Sequence, residues 1–316
     1  MINRELIRLK LVQVLYSHLQ KGSHNPDASE KELLLSLDKA YDLYNYMLLL
    51  MVEVGRMSVR MFEVYQNRSK KLNDGIQWSR KFVDNRFILQ LESNKQLRAY
   101  CDEQALSWAD HEDFVRNLYY KVEESDFYKE YMALAAPTYE DEKALWRKIY
   151  GQLLLSNEAL ISALEEMEVA LDYEGWTIDI DMVLTYVVKT IKRMKEDDSD
   201  ELPLLEMFAS EEEFSFAKEL MQKAMEQADE NKALISKALQ NWEADRVAYM
   251  DQVILLVALA EIREFHSIAL EISMNEYIEI AKEYSSEKSY VFINGVLNKV
   301  VNDLRAENQL FKFTRN

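Results

Sequence analysis

Residues 251–263 read DQVILLVALAEIR, residues 274–285 read MNEYIEIAKEYS, and residues 292–299 read FINGVLNK. These three blocks decide the fold. In the first, Asp251 opens an apolar helix that closes on Glu261, Ile262 and Arg263. Its run from Val253 to Ala260 is far short of the roughly 20 residues that cross a bilayer. In the second, Tyr277, Ile278, Ala281 and Tyr284 face inward at helical spacing, while Glu276, Glu279 and Glu283 face out. In the third, Asn294-Gly295 comes after the polar stretch 285–289 and before an apolar helix. An amide side chain ahead of a glycine suits a tight helix start or a close backbone approach.

The rest of the chain is built the same way. Its 316 residues are 48% hydrophobic, with only 6 glycines and 3 prolines. Sheet-rich folds need Gly and Pro at their turns, so the fold class is all-α. Residues 4–20 form an amphipathic helix, with Ile7, Leu11, Val14, Leu15 and Leu19 on one face and Lys10, Gln13, Ser17 and Gln20 on the other. Gly22, Asn25 and Pro26 end it. Helical periodicity runs over 30–66, breaks at 67–75 on Asn73-Asp74-Gly75, and resumes over 77–132. Ala136-Pro137-Thr138 interrupts it again before a helix over 140–171. The acidic stretch 196–203, closed by Pro203, reads as a linker, and helices fill the rest to about residue 307.

The formal net charge of −18 repels nucleic acid over most of the surface, so any RNA contact is local or shared with a basic partner. The single cysteine, Cys101, makes no intrachain disulfide and fits a reducing, cytoplasmic setting. No signal peptide and no membrane contact are expected. Glycine-rich phosphate loops and Cys-x-x-Cys are absent, and His18, His24, His111 and His266 are scattered, so neither metal nor cofactor is expected. Glu165-Glu166 and residues 211–213 are solvated helix faces and not acid/base pairs, because adjacent helical residues do not face each other. The chain reads as a binding protein and not an enzyme.

In order and spacing the three blocks resemble the NusB family of bacterial transcription antitermination factors. Its pattern has an acid opening an apolar helix, then Asn-Glu-x-(Ile/Val)-Glu-(Ile/Leu)-Ala-Lys, then Phe-(Val/Ile)-Asn-Gly-Val-Leu-(Asp/Asn)-Lys. Residues 4–17, RELIRLKLVQVLYS, are similar to the family's first helix, with its basic start and Gln-x-Leu-Tyr-Ser core. The likeness covers roughly 1–21 and 210–305. It implies a NusB-type helical bundle divided as an N-terminal basic helix (1–25), a helical insertion (26–200), a C-terminal core (201–306) and a tail (307–316).

The resemblance also implies a function without catalysis. NusB-like proteins pair with NusE, a ribosomal small-subunit protein, and bind a boxA-type single-stranded leader RNA. They work in the RNA polymerase antitermination complex, promoting read-through in ribosomal RNA operons. The implied RNA contacts are Arg4, Arg8, Tyr16, Lys288, Ser289 and Phe292, with Lys10 beside the arginines. Arg4 and Arg8, one turn apart, reach one phosphate track. Tyr16 and Phe292 stack on unpaired bases, with core packing as the alternative for both. Asp245 and Asp251 match the partner-facing acids. Two departures stand out: the arginine-rich start is thin, and Lys288 sits where an acid is common. They keep open a second reading, a helical protein-interaction scaffold of this fold with reduced or no RNA binding.

Overall fold

Residues 1–22, 25–239 and 247–310 are described by a computed structural model. They form fourteen α-helices: α1 (Arg4–Gln20), α2 (Pro26–Leu72), α3 (Arg86–Ser93), α4 (Lys95–Glu103), α5 (Glu112–Glu124), α6 (Asp126–Ala133), α7 (Tyr139–Ile149), α8 (Glu158–Leu171), α9 (Trp176–Arg193), α10 (Glu211–Glu226), α11 (Ala228–Ala238), α12 (Tyr249–Glu264), α13 (Leu270–Tyr284) and α14 (Ser289–Ala306). Among the described residues the only β pairing is an isolated bridge between Ile2 and Phe208. Seven helices start on a side-chain cap. Asn3, Asn25, Asn85, Asn94, Ser125, Thr138 and Asn157 each accept from the amide three residues on, satisfying an otherwise orphaned donor.

The helices group into two compact units. One comprises Met1 and Asp38–Glu206. Its core is aromatic, with Tyr44, Tyr46, Trp146, Tyr150 and Trp176 almost fully buried. Most of the polar tips find partners: Tyr44 with Thr190, Tyr46 on the Ser107 carbonyl, Tyr150 on the Met47 carbonyl, and Trp176 on the Lys39 carbonyl. The break expected over 67–75 starts later, since α2 runs to Leu72, and it extends further, since residues 77–85, expected to be helical, belong to a non-helical strap over 73–85 between α2 and α3. Asn73 and Gly75 take left-handed φ values of 50° and 70° there. The acidic stretch near 200 is not a free linker. Gln90 donates to the carbonyls of Lys195 and Asp198, Lys95 to that of Asp200, and Asn94 to that of Leu202.

The second unit comprises Ile2–Leu37 and Met207–Asn316. At its centre lies α12, whose residues 253–262 are all buried, wrapped by α1, α10, α11, α13 and α14. On α13 Tyr277, Ile280 and Ala281 are buried, while Ile278 and Tyr284 are only half-buried. Helix α1 departs from the amphipathic expectation. Residues 6–12 are buried through nearly two turns, so Arg8 and Lys10 lie inside and not on a polar face. The unit boundary falls at 37/38, inside α2, where an insertion starting at 26 was expected.

Candidate nucleic-acid interface

The implied RNA residues of α1 divide between two ends of the second unit. Arg8 is 3% exposed. Its Nε and Nη2 donate to both oxygens of the fully buried Glu261, at 2.7 and 2.9 Å, and its Nη1 donates to Glu276 at 3.1 Å. Ser273 and Tyr277 donate to the same Glu261 carboxylate at 2.6 and 2.9 Å. Burial works against the Arg8 charge, but the hydrogen bond and charge of Glu261 outweigh it and raise the Arg8 pKa. Burial raises the Glu276 carboxyl above the ordinary glutamate range, with Arg8 pulling the other way. Arg4 is half-buried, paired to Glu213 at 3.2 Å and lying over the Phe216 ring. The cleft beside it, about 570 Å³, is lined by Glu5, Glu213 and Glu276 as well as the two arginines. Three carboxylates against two committed guanidiniums do not make a phosphate site. The expected phosphate track on Arg4 and Arg8 is therefore corrected, and the buried Lys10 goes with it.

The other end of α12 is different. Asp251, 5% exposed, accepts from Ser285 at 2.6 Å and from Ser289 at 2.9 Å. Ser286 and Ser289 share a further bond of 2.7 Å. One carboxylate thus ties the 285–289 turn and the start of α14 to the first turn of α12. Asp251 and Ser289 are framework, and the expectation that Asp251 faces a partner is corrected by its burial. Asp245 lies outside the described residues.

On this framework sits a rim of aromatic and basic side chains. Tyr249, the first residue of α12, meets Tyr16 edge-on at 5.2 Å. Lys288 is exposed at the start of α14, followed by exposed Tyr290 and Val291 and half-buried Phe292. Lys282 lies over the Tyr290 ring. Tyr16 thus meets the first residue of α12, and Lys288 and Phe292 flank Ser289, which is tied to Asp251 in the same first turn; ten helical steps from Asp251 to Glu261, about 15 Å, separate this end of α12 from the Arg8 partner. Tyr249, Lys282 and Tyr290 were missed. Tyr290, two residues before Phe292, was the signal available. Asn294 and Gly295 do not start a helix; both are exposed in the second turn of α14, and Asn298 donates to Asn294. A Cβ at Gly295 would meet nothing within 4 Å.

A NusB family model matches residues 182–302, from within α9 to near the end of α14 and without α1. Three curated relatives, each a transcription antitermination protein NusB, are similar to part of the chain. The chain is 40% identical to that of Salinibacter ruber over 93 residues, 29% of this chain and 56% of the relative. It is 39% identical to that of Bacillus pumilus over 92 residues, 29% of this chain and 70% of the relative. It is 38% identical to that of Bacillus subtilis over 89 residues, 28% of this chain and 68% of the relative. No solved structure matches.

Proposed function

This chain belongs to the NusB family, and on that premise we propose that it is a transcription antitermination factor that binds boxA-type leader RNA together with a NusE-like ribosomal protein. The family is one of antitermination factors and not of enzymes, and this chain is no enzyme. Its place of action is the cytoplasmic RNA polymerase complex, reading through terminators in ribosomal RNA operons. Among the described residues no helix is long and apolar enough to cross a membrane.

The observation that carries the reading is the rim of Tyr16, Tyr249, Lys288, Tyr290 and Phe292 on the Asp251–Ser289 framework. Aromatic faces left partly open beside a lysine suit unpaired bases and their phosphates. Ser289 acts by holding the turn, and Asp245 remains the proposed partner contact. The test is RNA binding by the full chain, with and without the NusE-like protein, for Phe292→Ala and Lys288→Glu. Binding is expected to be weak alone and tight with the partner, and both variants weaken it. The burial of Arg8 and Lys10 favours one rival, a scaffold of this fold with little RNA affinity. Equal RNA binding by the parent and both variants, with partner binding kept, decides for that rival.

A further inference from the structure

The strap after α2 carries a feature that the NusB-type reading does not use. Between Gln66 and Lys81 the sequence holds five cations (Arg68, Lys70, Lys71, Arg80, Lys81) and one acid, Asp74, in a chain of net charge −18. The strap runs back along α2. Ser69 donates to the Ile76 carbonyl at 3.2 Å, Trp78 stacks on Tyr65 at 4.7 Å, and the Arg80 guanidinium lies 5.1 Å from the centre of the Phe62 ring. Successive strap residues therefore meet successively earlier turns of the helix.

The local acids are mostly occupied. Asp74 accepts from Ser69 and from the Ile76 amide, and Asp84 pairs with Arg80. Glu123 accepts from both Tyr65 and Tyr119, at 2.8 and 2.7 Å, which fixes the Tyr65 ring from behind. After Glu53, α2 carries one further carboxylate, the exposed Glu63. Arg68, Lys70 and Lys71 are exposed and have no carboxylate at ion-pairing distance among the described residues. Cations in a last turn offset the helix dipole, which accounts for Lys70 and Lys71 alone. It does not account for Trp78, which keeps one face on Tyr65 and remains 41% exposed. An apolar docking patch would not adjoin a last stretch of α2 carrying three exposed cations with no carboxylate at ion-pairing distance among the described residues, and a simple solvated face would not hold an open indole on a braced ring.

We propose that the α2 C-terminal turns and the 73–81 strap form a second single-stranded RNA contact, in which Trp78 stacks on a base while Arg68, Lys70 and Lys71 meet flanking phosphates. This surface lies in the Asp38–Glu206 unit and is independent of the rim near α12. A base on the open face of Trp78 would extend the Tyr65–Trp78 stack, a sequence-tolerant mode of holding a single strand.

Anisotropy of fluorescein-labelled oligo(U), which lacks a boxA sequence, tests this on the full chain. Trp78→Ala is expected to weaken binding roughly 5- to 100-fold, and Trp78→Phe to restore most of it. The pair Lys70→Gln, Lys71→Gln is expected to make the salt dependence shallower by about 0.7 for each lost contact. Lys288→Glu, in the rim, is expected to leave these losses in place, so failure of the rim reading and of this one are separable. Parent-like oligo(U) binding by all strap variants, or no oligo(U) binding by the parent, overturns the proposal. So does displacement of oligo(U) by poly-glutamate at equal strength with no effect of Trp78→Ala, which assigns the cations to an acidic polypeptide. Circular dichroism confirms that each variant is folded, and the lysine pair, remote from any core contact, decides if Trp78→Ala is not.

Discussion

Glu261 shows how little of a charged residue's role its type reveals. Its carboxylate is fully buried, and two nitrogens of Arg8, the Ser273 hydroxyl and the Tyr277 phenol all donate to it. Removing one partner of such a pair strands the other charge in a low dielectric. Arg8→Met is therefore expected to cost about 3–5 kcal/mol in a urea melt, with RNA affinity of the folded fraction little changed. A melt like the parent's would return Arg8 to the surface. The neighbouring Glu276 works in the opposite sense. Its folded pKa is raised, so its contribution to stability is full below the ordinary glutamate pKa and is lost as pH rises through the folded value. Glu276→Gln is expected to match the parent in acid and to melt slightly higher near neutrality, the gain being small because the side chain is 33% exposed. At the other end of α12, Asp251→Ala leaves the Ser285 and Ser289 hydroxyls without their acceptor. It is expected to lower stability by about 1–3 kcal/mol and to loosen the 285–292 segment, so RNA binding falls through the framework. Loss of partner binding with an unchanged melt would make Asp251 an interface residue instead.

Among the elements, α1 matched the sequence reading to the residue, because Asn3 caps it and Gly22 ends it, both local signals. The face it exposes was not legible, since burial of Arg8 depends on Glu261, 253 residues away. The strap was missed because apolar residues recur through 76–91 at near-helical spacing, while the deciding contacts are Ser69 with Asp74 and Trp78 with Tyr65. Asn294-Gly295 misled for the converse reason: local turn chemistry is overridden by the buried stripe of Ile293, Val296, Leu297, Val300, Val301 and Leu304. With open space at its Cβ position, Gly295→Ala is expected to stabilise by about 0.5–1 kcal/mol. If a base or partner backbone approaches this face of α14 beside Phe292, the same variant also binds RNA or partner more weakly. A destabilised Gly295→Ala would contradict the open helical environment. Gly55 is the opposite case, since a Cβ there would lie 2.5 Å from Cγ2 of the stiff, buried Ile88. Gly55→Ala is expected to cost about 1–3 kcal/mol despite its better helix propensity.

At the scale of the whole chain, charge decides what the rim can do alone. The unit boundary was hidden because Leu33, Leu37, Ala40, Tyr41 and Tyr44 keep helical spacing straight through residue 37. The net charge of −18, by contrast, was legible from the outset and constrains RNA binding directly. Of the cations around the rim, Lys282 is shared with Glu279 at 2.6 Å, which leaves Lys288 as the exposed cation of the proposed site that has no ion pair among the described residues. One lysine releases few counterions, so leader RNA bound to this rim alone is expected to show a salt slope of about −0.7. A basic NusE-like partner brings its own phosphate contacts, and each adds about 0.7 to the steepness. The ternary complex is therefore expected to be both tighter and markedly more salt-sensitive than the binary one. Lys288→Glu should remove most of the binding that the rim contributes while leaving a ternary complex of reduced affinity. Trp78→Ala and the Lys70, Lys71 pair provide the control, because RNA that also engages the strap would steepen the binary slope without the partner. A binary slope already as steep as the ternary one, and unchanged in the strap variants, would mean that cations outside both surfaces hold the RNA.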